Sequence, residues 1–290
     1  MKRFKNFGVN NELISSNNSN IEPISNEYSC VAVTAMFDIG RNKVDGRDIH
    51  FYYKTFMETI KIELPIVIYL DSKLNWVDEV LEIRKNIGPT KIIVQDLEEI
   101  PFWKYRENVI NILNSDFKSK IKYPNDITYV LPEYSLIQYS KFGWIDDAIN
   151  YFNSKSYMWI DGGLSRFFTE IQKLRLNFNI NYINNIIYNK KCLIEASRLD
   201  ILNNATNDTY IGTNEAVLKG GIFIIPTSIF KIIYNSIMNK WENEMLSKNR
   251  YDNEQISLAL IYKEKPELFS IIISNDLPYN SILNLLVDVI

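Results

Sequence analysis

The chain has 290 residues, enough for one large domain or two small ones, and 46% of them are hydrophobic, ample for a packed core. A formal net charge of −3 argues against a nucleic-acid partner. Two cysteines, Cys30 and Cys192, exclude a disulfide scaffold, and a single histidine, His50, excludes a histidine-rich zinc site and argues against a Ser-His-Asp triad.

No apolar run reaches the roughly 18 residues needed to cross a bilayer. Met1 to Asn26 is basic at first and then rich in Asn and Ser, without the apolar core of a signal peptide. We expect a loosely ordered lead-in over residues 1–26, one domain over residues 27–290, and a cytoplasmic protein, free or peripheral to a membrane.

Tyr28 to Phe37 is apolar and β-branched and reads as the first strand. It ends in the polar turn Asp38-Ile39-Gly40-Arg41. A polar loop after a first strand is a common nucleotide-binding position, although neither a G-x-G-x-x-G nor a P-loop is present. Arg41 and Arg47 could meet phosphate or face water. Asp48 to Ile62 carries Phe51, Phe56 and Ile60 at helical spacing, which makes His50 a polar residue near a helix start. Leu64 to Asp71 is a second strand with Pro65 at its head, where a missing N–H is tolerated. Trp76 to Asn86 reads as a helix stopped by Gly88-Pro89, and Lys91 to Gln95 as a third strand. Alternating strands and helices imply a parallel sheet with crossover helices.

Pro101 to Lys118 reads as a helix, and so does Pro132 to Phe152, with proline at its head and Glu133 in its first turn. Tyr134, Gln138 and Lys141 lie at i, i+4 and i+7 and share one face. Most helix lysines face water; Lys141 could instead point toward the strand that follows. In that strand Tyr157-Met158-Trp159-Ile160 runs into Asp161, a pattern suited to burial on both faces. Gly162 and Gly163 then turn the chain and permit close approach to the backbone. A carboxylate at the C-terminal tip of a central strand lies on the edge where open α/β sheets bind ligands. Asp161 either faces a cation there, such as a metal ion, or caps the next turn.

Further on, a helix is expected through the Leu174 to Ile187 region and a strand over Lys190 to Leu199. Asn203 to Asn214 is polar and turn-forming, a candidate for a mobile loop over a site. Gly220-Gly221 opens a buried strand ending at Pro226, and Thr227 starts a helix to about Lys248. Asp252 and Gln255 fit a capping box, with Asn253 and Glu254 adding polar groups at a helix mouth. Phe269 to Ile290 reads as a last strand and helix packed on the domain.

Four stretches in this order carry a resemblance. They are Val33-Thr-Ala-Met-Phe-Asp38-Ile-Gly40-Arg41, Glu133-Tyr-Ser-Leu-Ile-Gln138-Tyr-Ser-Lys141, Trp159-Ile-Asp161-Gly-Gly163, and Gly220-Gly-Ile-Phe with Asp252-Asn-Glu254-Gln255. Together they resemble the HtrL/YibB family of glycosyltransferase-like proteins, from the first strand to about Phe269. The resemblance implies an α/β, GT-A-like single domain with a mostly parallel sheet flanked by helices. It implies transfer of a sugar from a nucleotide-diphosphate donor, most simply a UDP-sugar, to a glycan acceptor in surface glycan synthesis. Thr34, Phe37, Asp38 and Arg41 would line the nucleotide pocket, with Gln138, Lys141, Gly162, Gly163 and Arg166 around the donor. Gly220 and Gly221 would run beside donor sugar or acceptor, and Asp252 or Glu254 would accept the acceptor proton. Asp161 would hold a divalent metal, Mn²⁺ or Mg²⁺, on the diphosphate, but Gly163 stands where such enzymes carry a second carboxylate. The leaving charge would then fall to the metal or to cations such as Lys141 and Arg166. The alternative is a non-catalytic nucleotide-sugar or glycan binding module on a degenerate transferase fold. A nucleotidyltransferase is a third reading, disfavoured by the absence of a glycine-rich basic loop after the first strand.

Overall fold

A computed structural model describes residues 6–8, 27–169, 178–274 and 278–286. Its centre is an eight-stranded sheet in the order β1-β4-β3-β2-β5-β7-β6-β8. The strands are β1 Asn6–Gly8, β2 Val31–Met36, β3 Ile66–Asp71, β4 Thr90–Gln95, β5 Ser156–Ile160, β6 Cys192–Ala196, β7 Leu218–Pro226 and β8 Phe269–Ile273. β2, β3, β4 and β5 pair in parallel, as do β6 and β8. β7 runs antiparallel to both β5 and β6, and β1 antiparallel to β4. The sheet is therefore mostly parallel, the α/β architecture that the resemblance implies.

The period-two alternation of the strands splits the core into two layers. Val31 and Val33, Tyr157 and Trp159, and Phe223 and Ile225 face one layer. The residues between them, Ala32, Met158, Ile160, Ile222 and Ile224, face the other. The first layer is covered by helices Pro132–Ala148, Thr227–Asn239 and Glu254–Glu264, the second by Ile49–Thr59, Val77–Arg84, Ile180–Asn189 and Asn280–Leu286. Burial on both faces explains why the central strands read as continuous apolar runs.

Local chemistry sets the helix ends. The Asp48 carboxylate accepts a hydrogen bond from Phe51 N at 2.8 Å, and Pro132 supplies a pre-set first turn. Glu254–Glu264 is capped by Asn253, not Asp252: Asn253 Oδ1 accepts from Gln255 N and Ile256 N. The expected Pro101–Lys118 helix is broken into a turn at Trp103–Tyr105, the helix Arg106–Leu113 and a tight 3₁₀ run Asp116–Lys120. Ser115 causes the restart by accepting from Phe117 N. Thr227–Asn239 widens into a π-helical segment, Lys240–Met245. The expected loop 203–214 contains the capped turn Asn207–Tyr210. Within the expected lead-in, Asn6–Gly8 forms the edge strand on β4. Leu174 itself, the start of the expected helix, and the last four residues of the tail lie outside the described residues.

Candidate active site

β2 and β5 are parallel neighbours, so their C-terminal ends open at the same edge of the sheet. The first leads into Phe37 and Asp38, the second into Asp161. Antiparallel β7 brings its N-terminal end to that edge, where Asp161 N donates to Gly221 O at 2.8 Å. A cleft opens there between the two helix layers, lined by Phe37, Asp38, Arg41, Arg47, Tyr52, Tyr134, Gln138, Lys141, Trp159, Asp161, Gly163 and Arg166 among others.

Three charged side chains meet behind this cleft. Lys141 Nζ lies 3.1 Å from Asp161 Oδ1 and 2.7 Å from Glu254 Oε1, and it donates to Gly220 O at 2.9 Å. These three partners use all three ammonium hydrogens. Asp161 Oδ1 also accepts from the Trp159 indole at 2.7 Å. Lys141 and Glu254 are closed to solvent, at 1% and 0% side-chain exposure, while Asp161 keeps 29%. Of the three, only Asp161 keeps an appreciable exposed surface at the cleft. Burial alone would favour the neutral amine of Lys141, but Asp161 and Glu254 outweigh it and hold the ammonium above its ordinary range. Burial raises the Glu254 carboxyl against the pull of Lys141, and its second oxygen, Oε2, has no hydrogen-bond partner.

The walls of the cleft are aromatic and cationic. The Arg41 guanidinium lies 5.2 Å from the Tyr134 ring centroid and 5.8 Å from that of Tyr52, bridging the two helix layers, and it pairs with Asp45. Phe37 stacks on Trp144, which stacks on Trp159. Gly40, at φ 72, makes the left-handed turn after β2, and its N–H donates to Asp38 Oδ1 at 2.9 Å. Asp71, buried at the tip of β3, accepts from Asp38 N at 3.1 Å and fixes that loop.

Most of the residues singled out in the sequence converge on this cleft: Phe37, Asp38, Arg41, Gln138, Lys141, Asp161, Gly162, Gly163 and Arg166. Five do not behave as expected. Thr34 is fully buried in mid-strand with an unpartnered hydroxyl and does not line the cleft. Gly220 and Gly221 make room for protein, not ligand. A Cβ on Gly220 would collide with the Glu254 carboxylate, and one on Gly221 would come 2.6 Å from the Tyr279 hydroxyl. Asp252 is a structural anchor. Its Oδ2 accepts from Gly212 N at 2.8 Å and Asn214 N at 3.1 Å, and its Oδ1 from Asn253 N at 2.8 Å. It ties down the end of the 203–214 stretch, none of which lines the cleft. Lys141, expected to face the diphosphate, is spent on protein partners. Tyr52 and Trp159 line the cleft without having been singled out as site residues, and Arg47, read as meeting phosphate or facing water, lines it too. Tyr134 was legible through the i, i+4, i+7 face it shares with Gln138 and Lys141.

The side chains present do not make a metal site by themselves. Among the described residues, no three His, Cys, Asp or Glu side chains converge to hold an ion. A Cβ on Gly163 would come 2.9 Å from an Arg166 guanidinium nitrogen and 3.2 Å from the Tyr52 ring, so a cation fills the place a second carboxylate would take. Asp161 already faces an ammonium.

Residues 28–277 match the family described as "Bacterial protein of unknown function (HtrL_YibB)". The chain belongs to the HtrL/YibB family. No curated protein matches it. Among solved structures, the HtrL/YibB chain is similar to mouse xyloside xylosyltransferase 1 in its apo form, with 11% identity, 85% of each chain covered and a TM-score of 0.41. It is also similar to the 4-diphosphocytidyl-2C-methyl-D-erythritol synthase of Anaerococcus prevotii, with 11% identity, 86% of this chain and 90% of that one covered, and a TM-score of 0.37. Among the described residues, no helix of the HtrL/YibB chain is long and apolar enough to cross a membrane.

Proposed function

We propose that the chain is a glycosyltransferase that moves a sugar from a nucleotide-diphosphate donor, a UDP-sugar in the simplest form, to a hydroxyl of a glycan acceptor. The observation that carries this reading is the meeting of Asp161 with Arg41, Arg47 and Arg166 in one aromatic-walled cleft at the carboxyl ends of β2 and β5. Open α/β sheets bind ligands at that edge. Aromatic rings suit a nucleobase, guanidinium groups suit a diphosphate, and a carboxylate suits sugar hydroxyls.

In this reading Arg41, Arg47 and Arg166 take up the negative charge that develops as the sugar–phosphate bond breaks. Lys141 and the Trp159 indole fix the orientation of Asp161 and keep it aimed at the cleft. Asp161 is then the carboxylate that hydrogen-bonds the reacting sugar hydroxyls and takes the acceptor proton. A positioned base supplies about 10²–10⁴ in rate. Glu254, closed to solvent, acts as the charge partner that holds Lys141 in place. Surface glycan synthesis, at the cytoplasmic face of a membrane, is the setting we propose for this activity.

The test is a panel of nucleotide sugars, with and without Mn²⁺, read by calorimetry and by product formation. Turnover of at least one donor is expected, and Asp161→Asn should lose most of it while keeping the fold. If no donor is bound or cleaved under any condition, the reading is wrong. One observation favours a second reading, a binding module: the place of a second carboxylate is filled by Arg166 and Tyr52. That reading predicts donor binding without product.

A further inference from the structure

Gly220 and Gly221 sit at the edge of β7 with two large side chains pressed against them. The directions of successive Cβ positions alternate between the two faces of a strand. The position on Gly220 is taken by Glu254, from the helix layer that also carries Lys141. The position on Gly221 is taken by the ring and hydroxyl of Tyr279, with three of its atoms within 3.0 Å of where a Cβ would stand. Tyr279 belongs to the opposite layer and comes from the C-terminal segment. Since Asp161 N bonds Gly221 O, this phenol stands on the strand immediately beside Asp161.

The backbone is held with some effort to put it there. Tyr279 has φ 64, a left-handed conformation that is uncommon for a bulky residue. Glu195, fully buried at the end of β6, secures the turn. Its Oε1 accepts from Tyr279 N at 2.7 Å and its Oε2 from Ile282 N at 3.1 Å, while Lys219 Nζ lies 2.8 Å from Oε1. The Phe167 ring, 5.2 Å from the Tyr279 ring between centroids, supports it from the loop that follows Asp161. Tyr279 as a residue is half-buried, with its hydroxyl against Gly221 at the rim of the cleft, outside the residues that line it.

We propose that Tyr279 is a substrate-contacting residue of the same site, donating its phenolic hydrogen bond to a hydroxyl of the transferred sugar beside Asp161. The inference rests on the glycosyltransferase reading and names a residue that reading does not need. The phenol is chemically suited to the role. Burial, with Asp161 and Glu254 nearby, raises its pKa, so it stays protonated and keeps a hydrogen to donate to a sugar hydroxyl oxygen. Glycine at position 221 is required because any side chain there would displace the ring. The Glu195 anchor explains why a carboxylate that does not line the cleft is buried at this turn.

The experiment compares wild type, Tyr279→Phe and Gly221→Ala with two probes, UDP alone and the UDP-sugar that wild type cleaves fastest. Thermal melting checks the fold of each. Tyr279→Phe keeps the ring and its packing, so it should melt like wild type and bind UDP equally. Its kcat/KM for the UDP-sugar should fall about tenfold, the loss of one hydrogen bond at a reacting centre. Gly221→Ala should show a similar loss by moving the ring. Unchanged kcat/KM in Tyr279→Phe, with wild type active, overturns the assignment of Tyr279 alone. A wild type that binds neither probe overturns the glycosyltransferase reading and this assignment with it.

Discussion

Asp252 and Glu254 are two residues apart, both carboxylates, both closed to solvent. Their partners separate them. Asp252 accepts from the backbone N–H groups of Gly212, Asn214 and Asn253, which lead nowhere beyond the segments they hold. Glu254 has one oxygen on a buried ammonium and the other unpartnered, and that ammonium connects it to Asp161 and the cleft. A buried carboxylate is thus structural or functional according to what it is bound to. The intervening Asn253 caps the helix and turns the two side chains in different directions.

The largest effect should come from cutting the Glu254 side of that contrast. Lys141→Met leaves Glu254 buried without its counter-charge, and breaking such a pair costs about 3–5 kcal/mol. Denaturant unfolding should show this loss, and the double variant Lys141→Met/Glu254→Gln should recover much of it. A single variant with wild-type stability would mean that the pair is not closed to water. Next is Asp161→Asn, which keeps the shape but removes the charge at the cleft. Turnover of a cleaved donor should drop about 10²–10³-fold, in the range seen when one electrostatic stabiliser is lost, with an unchanged melting curve.

The Asp252 side of the comparison is read by pH. Burial raises this carboxyl from 3.8 to about 6, against the backbone hydrogen bonds that pull it down. A carboxyl whose folded pKa lies above its unfolded value binds its proton more tightly in the native state. Its contribution to stability is therefore full below pH 3.8 and declines as pH rises toward 6. The difference in unfolding free energy between wild type and Asp252→Asn should fall with pH across that window; a flat difference would mean that its hydrogen bonds cancel its burial. Catalytic turnover should not follow this titration.

The smallest effect concerns Thr34, a polar group with neither kind of partner. Thr34→Val removes a buried unpaired hydroxyl at nearly constant shape, so stability should stay level or rise by up to about 1 kcal/mol. Activity should not change. Lost donor affinity in this variant would return Thr34 to the nucleotide pocket.

Much of this was legible because it is local. Alternating strands and helices, the doubly buried run into Asp161, and the shared face of Tyr134, Gln138 and Lys141 all follow from periods of two and 3.6 residues. Those periods survive any tertiary arrangement, and they located the sheet edge and most of the cleft. The errors cluster where a residue's role depends on a distant partner. Gly220 and Gly221 looked like room for a ligand because their neighbours, Glu254 and Tyr279, are far away in the chain. Asp252 looked like a cap or a base because the N–H groups of Gly212 and Asn214 lie about forty residues upstream.

By itself the sequence determined the α/β class, the order of the central strands' elements along the chain, and the carboxylate at the tip of β5. Only the tertiary structure decided that antiparallel β7 would lie against β5, and so which side chains would crowd the edge beside Asp161. Strand pairing is a contest among long-range hydrophobic and backbone contacts, and no short window of residues contains both partners. The same pairing buries Lys141 between two carboxylates, turning a helix lysine that would ordinarily face water into the member that holds the site together.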